Sequence, residues 1–229
     1  FNIDTVAHLV CNGFTKEETE DALIELSFLG IKNILAISGD GNPKKIIQEG
    51  KSINNNSLDL INQIKNLSQG NYLHEIANSS SIDMCVGIGC YPEKHAFSND
   101  FDQEINLLKQ KIASGASYAV TQMFFDNSKF FDFQEKCHAA GIDVPIIPGL
   151  KPIATRRQLN LLPHRFHVDL PEALIQAVMT CKDNKAIKQV GIEWCIAQSK
   201  ELQQAGVPFL HYYSMGKSEN IKAIADSIF

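Results

Sequence analysis

A short pattern recurs four times in this chain: a helix-like stretch ends at a glycine, and a short apolar strand follows and stops at polar residues. The strands that follow these glycines are Ile34–Ser38, Tyr118–Gln122, Val144–Pro148 and Phe209–Tyr213. Glycine just past a helix end tolerates the left-handed turn that leads into the next strand. Repeated helix–glycine–strand units build parallel sheets, because parallel strands need a crossover and the crossover is usually a helix. The pattern therefore predicts an α/β fold whose polar residues gather at the carboxyl ends of parallel strands.

Two further strand candidates, Val6–Val10 and Met84–Cys90, bring the number of β/α units to six. Apolar spacing and capping signals predict helices over Thr15–Leu29, Ser57–Leu67, Phe101–Ala113, Ser128–Ala140, Thr155–Leu162, Pro171–Met179, Asp183–Gln204 and Ser218–Phe229. Six strands do not close the eight-stranded (β/α)8 TIM barrel. We expect strands 3 to 8 of such a barrel, in a single catalytic domain over residues 1–229 that is incomplete at its amino terminus. An open doubly wound sheet is the alternative architecture.

Composition narrows the class of protein. The chain is 44% apolar and 21% charged, which is typical of a soluble globular domain, and its net charge of −5 gives no basic surface for nucleic acid or an anionic membrane. No apolar run approaches the roughly 20 residues of a membrane span. Six cysteines without a CxxC pair or zinc spacing predict no metal site and a cytoplasmic, reducing location.

Three groups of polar residues at strand ends are candidates for chemistry. Gly39 and Asp40 follow one strand, where Asp40 is either an acid at the rim or part of a plain turn. Tyr91 and His95 follow another strand, where they suit a flat heterocycle or a solvated loop. Gln122 ends a buried strand and offers one acceptor and two donors, which suits bidentate recognition of an amide-like edge or a satisfied rim residue.

Other features favour packing or exclude familiar nucleotide sites. His8 and His211 lie inside apolar strands, where buried core histidines are the commoner interpretation. The chain has no GxGxxG fingerprint, Walker A loop, GxSxG elbow or HExxH helix. A nucleotide cofactor would therefore have to bind at the rim of the barrel.

Six motifs, in order and at consecutive strand ends, carry a resemblance to a known family. They are Ala7-His8-Leu9 with Cys11, Ser38-Gly39-Asp40, Tyr91-Pro92-Glu93 with His95, Thr121-Gln122-Met123-Phe124-Phe125-Asp126, Ile147-Pro148-Gly149 with Pro152, and His211-Tyr212-Tyr213. This order resembles the flavin-dependent methylenetetrahydrofolate reductases over essentially the whole chain.

The resemblance implies a (β/α)8 barrel that holds FAD at its mouth. Members of the family transfer hydride from NADH or NADPH to the flavin and then to 5,10-methylenetetrahydrofolate, giving 5-methyltetrahydrofolate by a ping-pong sequence in one-carbon metabolism and methionine biosynthesis. The preferred nicotinamide donor is left open. Because oligomers are common in the family, we expect a homo-oligomer.

The resemblance also assigns residues by position. Asp40 and Gln122 match the catalytic positions, the first as the charge that stabilises the cationic iminium form of the folate and tunes the flavin, the second as a contact to pterin and nicotinamide. The positions that match FAD contacts are His8, Ser38, Gly39, Asp40, Ser57, Tyr91, His95, Glu104 and Lys111. The positions that match the substrate side are Gln122, Gln158, Leu162, Tyr213 and Lys217.

The chain departs from the family pattern at three places. Ser38 stands where the family commonly has arginine, and Lys217 ends a motif that usually reads Leu-Asn-Arg, so the forked contact of arginine is lost there. The family's general-acid glutamate lies on a first strand that has no counterpart in these 229 residues. We therefore expect this polypeptide alone not to reduce the folate.

Two other functions fit the same residues. One is a barrel that binds a pterin and transfers a methyl group without flavin, and the other is a non-catalytic α/β binding module. Flavin absorbance separates the first from the reductase, because the methyltransferase would be colourless.

Overall fold

Helices and strands alternate along the chain in the computed structural model, which describes residues 3–39, 50–93, 101–216 and 218–229. Within those residues the strands are β1 (Val6–Val10), β2 (Asn33–Ile37), β3 (Cys85–Cys90), β4 (Tyr118–Met123), β5 (Ile146–Leu150) and β6 (His211–Tyr212). The helices are α1 (Lys16–Phe28), α2 (Ser57–Ser68), α3 (Phe101–Ala113), α4 (Asn127–Ala139), α5 (Gln158–Phe166), α6 (Glu172–Met179), α7 (Asn184–Gln204) and α8 (Ser218–Ile228).

The six strands are hydrogen-bonded in the order in which they occur in the chain, from β1 to β6. The pairs β1/β2, β2/β3 and β5/β6 are parallel, with Val6 opposite Asn33 and Gly149 opposite His211. A doubly wound sheet reverses its strand order at a switch point, and this sheet does not. The sequential order therefore confirms the parallel α/β prediction and excludes the open doubly wound alternative.

The chain divides into two compact units. Unit 1 consists of Phe1–Gly89 and Asn106–Ala119, and unit 2 consists of Cys90–Ile105 and Val120–Phe229. The prediction of a single domain stays a prediction.

Unit 1 is built on the strand β2, whose apolar run predicted burial on both faces. Ile34 and Ala36 are completely buried, and α2 covers the strand with a stripe spaced three and four residues apart. That stripe consists of Leu60, Ile61, Ile64 and Leu67, all at most 2% exposed. Helix α1 begins with the predicted capping box, in which Thr15 and Glu18 exchange side-chain and backbone hydrogen bonds.

Unit 2 contains two apolar clusters, one on each side of the segment 123–125. The first cluster surrounds Phe125 and includes Leu162 of α5, and the second surrounds Phe124 and Phe130, whose stacked rings lie 5.6 Å apart. Helix α7 contacts both clusters, through Ile187 and Cys195 respectively. This packing fixes the loop that follows β4.

The predicted boundaries of three elements in unit 2 are wrong. Strand β5 extends from Ile146 to Leu150 rather than ending at Pro148, because Gly149 and Leu150 pair with β6. Helix α5 spans Gln158–Phe166 rather than Thr155–Leu162, and β6 spans only His211–Tyr212 rather than Phe209–Tyr213. Proline removes a backbone donor but tolerates an extended strand, so Pro148 did not mark the end that the sequence suggested.

Candidate functional site

In unit 1, the carboxyl ends of β1 and β2 meet the first turn of α2. The amide nitrogen of Asn12 donates to the carbonyl oxygen of Ser38 at 3.1 Å, and the amide nitrogen of Ser57 donates to Ser38 Oγ at 3.2 Å. The predicted cofactor residues Ser38 and Ser57 are thus in direct contact. Because Ser38 Oγ accepts this bond, its own hydroxyl proton remains a donor for a ligand.

Gly39 is required by this arrangement. Its φ angle is +95°, and a Cβ atom there would lie 2.5 Å from Val10 Cγ1 and 3.2 Å from Asn12 Cβ. No side chain fits that space, and L residues rarely adopt that φ. The glycine therefore lets the ends of β1 and β2 approach each other.

His8 and Lys111 are two other predicted cofactor residues of unit 1. His8 is exposed on β1, in register with Leu35, so its interpretation as a buried core histidine is wrong. Lys111 occupies the last turn of α3, close to Ala113, whose carbonyl oxygen lies 3.5 Å from Lys65 Nζ of α2. Lys65 is about 12 Å along α2 from Ser57, at 1.5 Å per residue. Lys111 therefore lies beside the second half of that helix.

In unit 2, a hydrogen bond of Tyr213 connects the end of β6 to β4. Its hydroxyl donates to the carbonyl oxygen of Thr121 at 2.8 Å, and Thr121 Oγ1 accepts from the amide nitrogen of Gly149 at 2.8 Å. Burial raises the pKa of Tyr213 above its ordinary value, and the neighbouring Cys90 and Tyr91 add to the rise. The phenol therefore stays protonated as a donor, and the predicted site residues Tyr91 and Tyr213 lie near each other.

Two glutamines of unit 2 are held in the same way, because the carbonyl oxygen of each side chain accepts from backbone amides. Gln122 Oε1 accepts from the amide nitrogen of Met123 at 2.9 Å, and Gln158 Oε1 accepts from the amide nitrogens of Ala154 and Thr155 at 2.6 and 3.2 Å. Only the carbonyl end of an amide accepts a hydrogen bond, so each NH2 group is the end left for a ligand. One of the two lone pairs of the Gln122 carbonyl oxygen is thus already used, and the bidentate role of Gln122 stays a prediction.

The remaining predicted residues have different positions. Leu162 is 2% exposed and packs in the apolar core of unit 2, and its role on the substrate side stays a prediction. Glu104 lies in the first turn of α3 and is half-buried. Asp40, His95 and Lys217 lie outside the described residues.

Helix α7 supplies supporting residues that sequence reasoning missed. Trp194 Nε1 donates to the carbonyl oxygen of Phe125 at 3.0 Å, and Gln198 Nε2 donates to that of Phe124 at 3.4 Å. Both carbonyls belong to the loop immediately after Gln122. A polar side chain at a buried position of α7 was the available signal, but its partner is about 70 residues away in the chain.

A cavity of about 490 Å³ in unit 2 contains none of the predicted site residues. It lies beyond the amino end of β5, between α4 and the segment 205–209 that precedes β6. In the described part of the chain, no three His, Cys, Asp or Glu side chains are grouped closely enough to hold a metal ion. None of the described helices has the length and apolar character needed to cross a membrane.

Comparison with known proteins identifies relatives over the whole length of this chain. A family model described as methylenetetrahydrofolate reductase matches residues 1–228. Methylenetetrahydrofolate reductase 1 of Schizosaccharomyces pombe is 30% identical over 229 residues, which are 100% of this chain and 36% of the yeast protein. The 5,10-methylenetetrahydrofolate reductase of Pectobacterium carotovorum is 27% identical over 99% of this chain and 70% of its own length.

A solved structure shares the fold. It is a protein from Clostridium thermocellum described as binding two copies of 5-methyl-5,6,7,8-tetrahydrofolic acid, with a TM-score of 0.62 and 17% identity over 100% of this chain and 73% of its own. At that identity the likeness shows the fold alone.

Proposed function

The chain belongs to the methylenetetrahydrofolate reductase family, and from that premise we propose that it is part of an oxidoreductase that reduces 5,10-methylenetetrahydrofolate to 5-methyltetrahydrofolate. NADH or NADPH is the proposed hydride donor, and FAD is the proposed cofactor. The observation that carries the proposal is the family match over residues 1–228, together with the oriented amide of Gln122 at the position that the family uses for pterin and nicotinamide.

The residues of unit 1 fit a cofactor with acceptor groups. The hydroxyl proton of Ser38, which the bond from Ser57 leaves as a donor, suits a phosphate or a ring carbonyl and would partly replace the donors of the arginine that the family commonly has at this position. Ser57 N is already bound to Ser38, so Ser57 would act by orienting that hydroxyl. The family resemblance adds Asp40, His8, Gly39 and Lys111 of unit 1 to the proposed FAD residues, and it assigns Tyr91, His95 and Glu104 of unit 2 to the same role. Bound FAD supplies the hydride acceptance and donation that connects the nicotinamide to the folate.

The residues of unit 2 fit a flat substrate with carbonyl edges. The carbonyl oxygen of Gln122 accepts from the Met123 amide and that of Gln158 accepts from the amides of Ala154 and Thr155, so each side chain is held by its carbonyl end and offers its NH2 group as a donor. Such fixed donors bind the pterin carbonyl or the nicotinamide carboxamide without losing side-chain entropy on binding. Tyr213, held protonated by burial, and Lys217 complete the proposed substrate side, and Leu162 packs beneath it.

We propose that the six strands form part of a single (β/α)8 barrel domain, equivalent to its strands 3 to 8, in a cytoplasmic homo-oligomer. The chain spans 36% of the length of its yeast relative and 70% of that of its Pectobacterium relative. Because no glutamate within residues 1–229 matches the family's general acid, this polypeptide alone is expected to lack folate turnover. Sedimentation of the purified protein tests the oligomer.

One experiment tests the proposed function. The purified protein is examined for a flavin absorption spectrum, and then for oxidation of NADH and NADPH that yields 5-methyltetrahydrofolate when the family's amino-terminal strands are supplied in the same polypeptide. A flavin spectrum with product formation supports the proposal. A colourless protein that binds the folate points to the methyltransferase, and a protein that binds neither flavin nor folate points to a binding module.

A further inference from the structure

Glu93 of unit 2, which follows β3, has an unusual carboxyl group. Its Oε2 atom accepts a hydrogen bond from the amide nitrogen of Asp169 at 2.6 Å. Its Oε1 atom is enclosed by protein and has no hydrogen-bond partner among the residues that the structure describes. The carboxyl thus joins two loops: the one that carries Tyr91, and the segment Val168–Leu170 between α5 and α6. A charged carboxylate with an enclosed, unpartnered oxygen is costly, whereas a neutral carboxyl group costs much less.

The charged groups around Glu93 do not offset this cost. Asp169 and Asp126, the N-cap of α4, face it as like charges, and Lys129 is the one cation known to act on it within the described residues. Lys129 Nζ lies 3.7 Å from Asp169 Oδ2, so much of its charge is already paired. Burial is the largest effect, and together with the acidic neighbours it raises the pKa of Glu93 to about 7.

The two loops that Glu93 connects are both close in the chain to predicted site residues of unit 2. Val168 is 3% exposed and packs in the same apolar cluster as Leu162 of α5, so the segment Val168–Leu170 is packed on the core that α5 helps to form. Helix α5 begins with Gln158, whose amide is already oriented. On the other side, Tyr91 lies two residues before Glu93 and near Tyr213.

We propose that Glu93 is a positioning residue whose neutral carboxyl group ties α5 to the loop of Tyr91, and that loss of its proton loosens this tie. The hydrogen bond between Glu93 and Asp169 forms without any ligand. Its consequence for folate binding rests on the proposed function: α5 and Tyr91 hold their mutual position best when Glu93 is protonated.

The direction of the pH effect follows from proton linkage. While Glu93 is bound to the Asp169 amide, its carboxyl group keeps its proton up to about pH 7. A solvated glutamate loses its proton near pH 4.5. Between these two pH values, the state in which Glu93 is bound to Asp169 holds more protons than the state in which this bond is open. The free energy of the bond therefore becomes less favourable as pH rises through this window, and it is constant above it. Because Glu93 is partly open to solvent, we expect a total weakening on the order of 10- to 100-fold, below the full effect of such a shift.

Hydrogen exchange at the Asp169 amide tests the tie without any ligand. After correction for the intrinsic pH dependence, its protection should fall between about pH 5 and pH 7 in the unaltered protein. In Glu93→Gln, which keeps the acceptor but cannot ionise, protection should be independent of pH. Glu135→Gln, at an exposed position of α4, should retain the pH dependence. Constant protection in the unaltered protein, or the same fall in Glu93→Gln, overturns the proposal.

Two further measurements keep the test decisive. If Glu93→Gln does not fold, carbon-13 NMR of the Glu93 carboxyl in the unaltered protein reports its titration directly, and a midpoint near the ordinary glutamate value overturns the proposal. In the polypeptide that also carries the family's amino-terminal strands, Glu93→Gln should change the pH dependence of KM for the folate and leave kcat nearly unchanged. Loss of flavin or folate binding in the unaltered protein would contradict the proposed function and leave the exchange result intact, so the two failures are distinguishable.

Discussion

The hydroxyl of Tyr213 donates a hydrogen bond to the carbonyl oxygen of Thr121, with 2.8 Å between the two oxygen atoms. Thr121 immediately precedes Gln122, so the end of β6 holds the backbone that carries the candidate catalytic amide. Thr121 is completely buried, and its side chain in turn fixes the backbone of Gly149 on β5. Three strand ends are therefore connected through one threonine, and each connection predicts a measurable effect.

Tyr213→Phe should lower the free energy of unfolding by about 1–2 kcal/mol, because a buried carbonyl oxygen loses a donor. Urea denaturation measures the change. Tyr212→Phe is the matched control, since it removes a similar bond, 2.9 Å long, between Tyr212 and Ser199. Both variants should be destabilised, but only Tyr213→Phe should weaken folate binding. Equal effects on folate binding would contradict a role for Tyr213 at the site.

Gly149→Ala should destabilise the protein by about 1–3 kcal/mol through overpacking. An added Cβ would overlap the carbonyl oxygen of Thr121 and lie 2.7 Å from the ring of Tyr213. Gly89→Ala in β3 is the control, because its Cβ would meet no atom of the described residues within 4 Å. Thermal unfolding of both variants checks the prediction, and an unchanged melting temperature in Gly149→Ala would show that β4 and β6 separate easily.

Gln122→Glu should retain the bond from the Met123 amide but lose the NH2 donor and add a negative charge. We expect kcat/KM for the folate to fall by about 100-fold, because the carbonyl edge of the ligand then faces an acceptor. Steady-state kinetics of the polypeptide that also carries the family's amino-terminal strands provide the measurement. Gln134→Glu, on the exposed side of α4, should leave kcat/KM unchanged. A similar loss in both variants would indicate a general charge effect.

The cysteines should differ widely in reactivity. Burial raises the pKa of the Cys137 and Cys195 thiols from 9.0 to about 12, so their thiolate fraction at neutral pH falls by about 10³-fold. Cys85 is exposed. Alkylation at neutral pH followed by mass spectrometry should label Cys85 first and leave Cys137 and Cys195 unlabelled until urea unfolds the protein. Early labelling of Cys195 would show that α7 opens locally.

The elements that sequence reasoning located well are those with local signals. The capping box of Thr15 and Glu18 involves residues three positions apart, and the apolar stripe of α2 repeats within one helix, so both are present in the sequence whatever the rest of the chain does. The end of β5 is different. Pro148 is a local signal for termination, but pairing with a strand about 60 residues later overrides it.

The candidate site shows the same division. Family motifs selected Gln122, Gln158 and Leu162 by position, yet the direction of both amides and the burial of Leu162 depend on the fold around them. Glu93 belongs to the motif Tyr91-Pro92-Glu93, but the motif cannot show that its carboxyl group is enclosed, because its partner Asp169 is 76 residues away.

By itself the sequence determined the parallel α/β class, the positions of most helices and strands, and the family, because hydrophobic periodicity, caps and motif order are properties of neighbouring residues. Only the tertiary structure decided which end of each glutamine amide is available, why Thr121 holds three strand ends, and why the Glu93 carboxyl favours its proton. These properties depend on contacts between segments far apart in the chain, where the enclosure of an atom and the charge of its neighbours set the free energy.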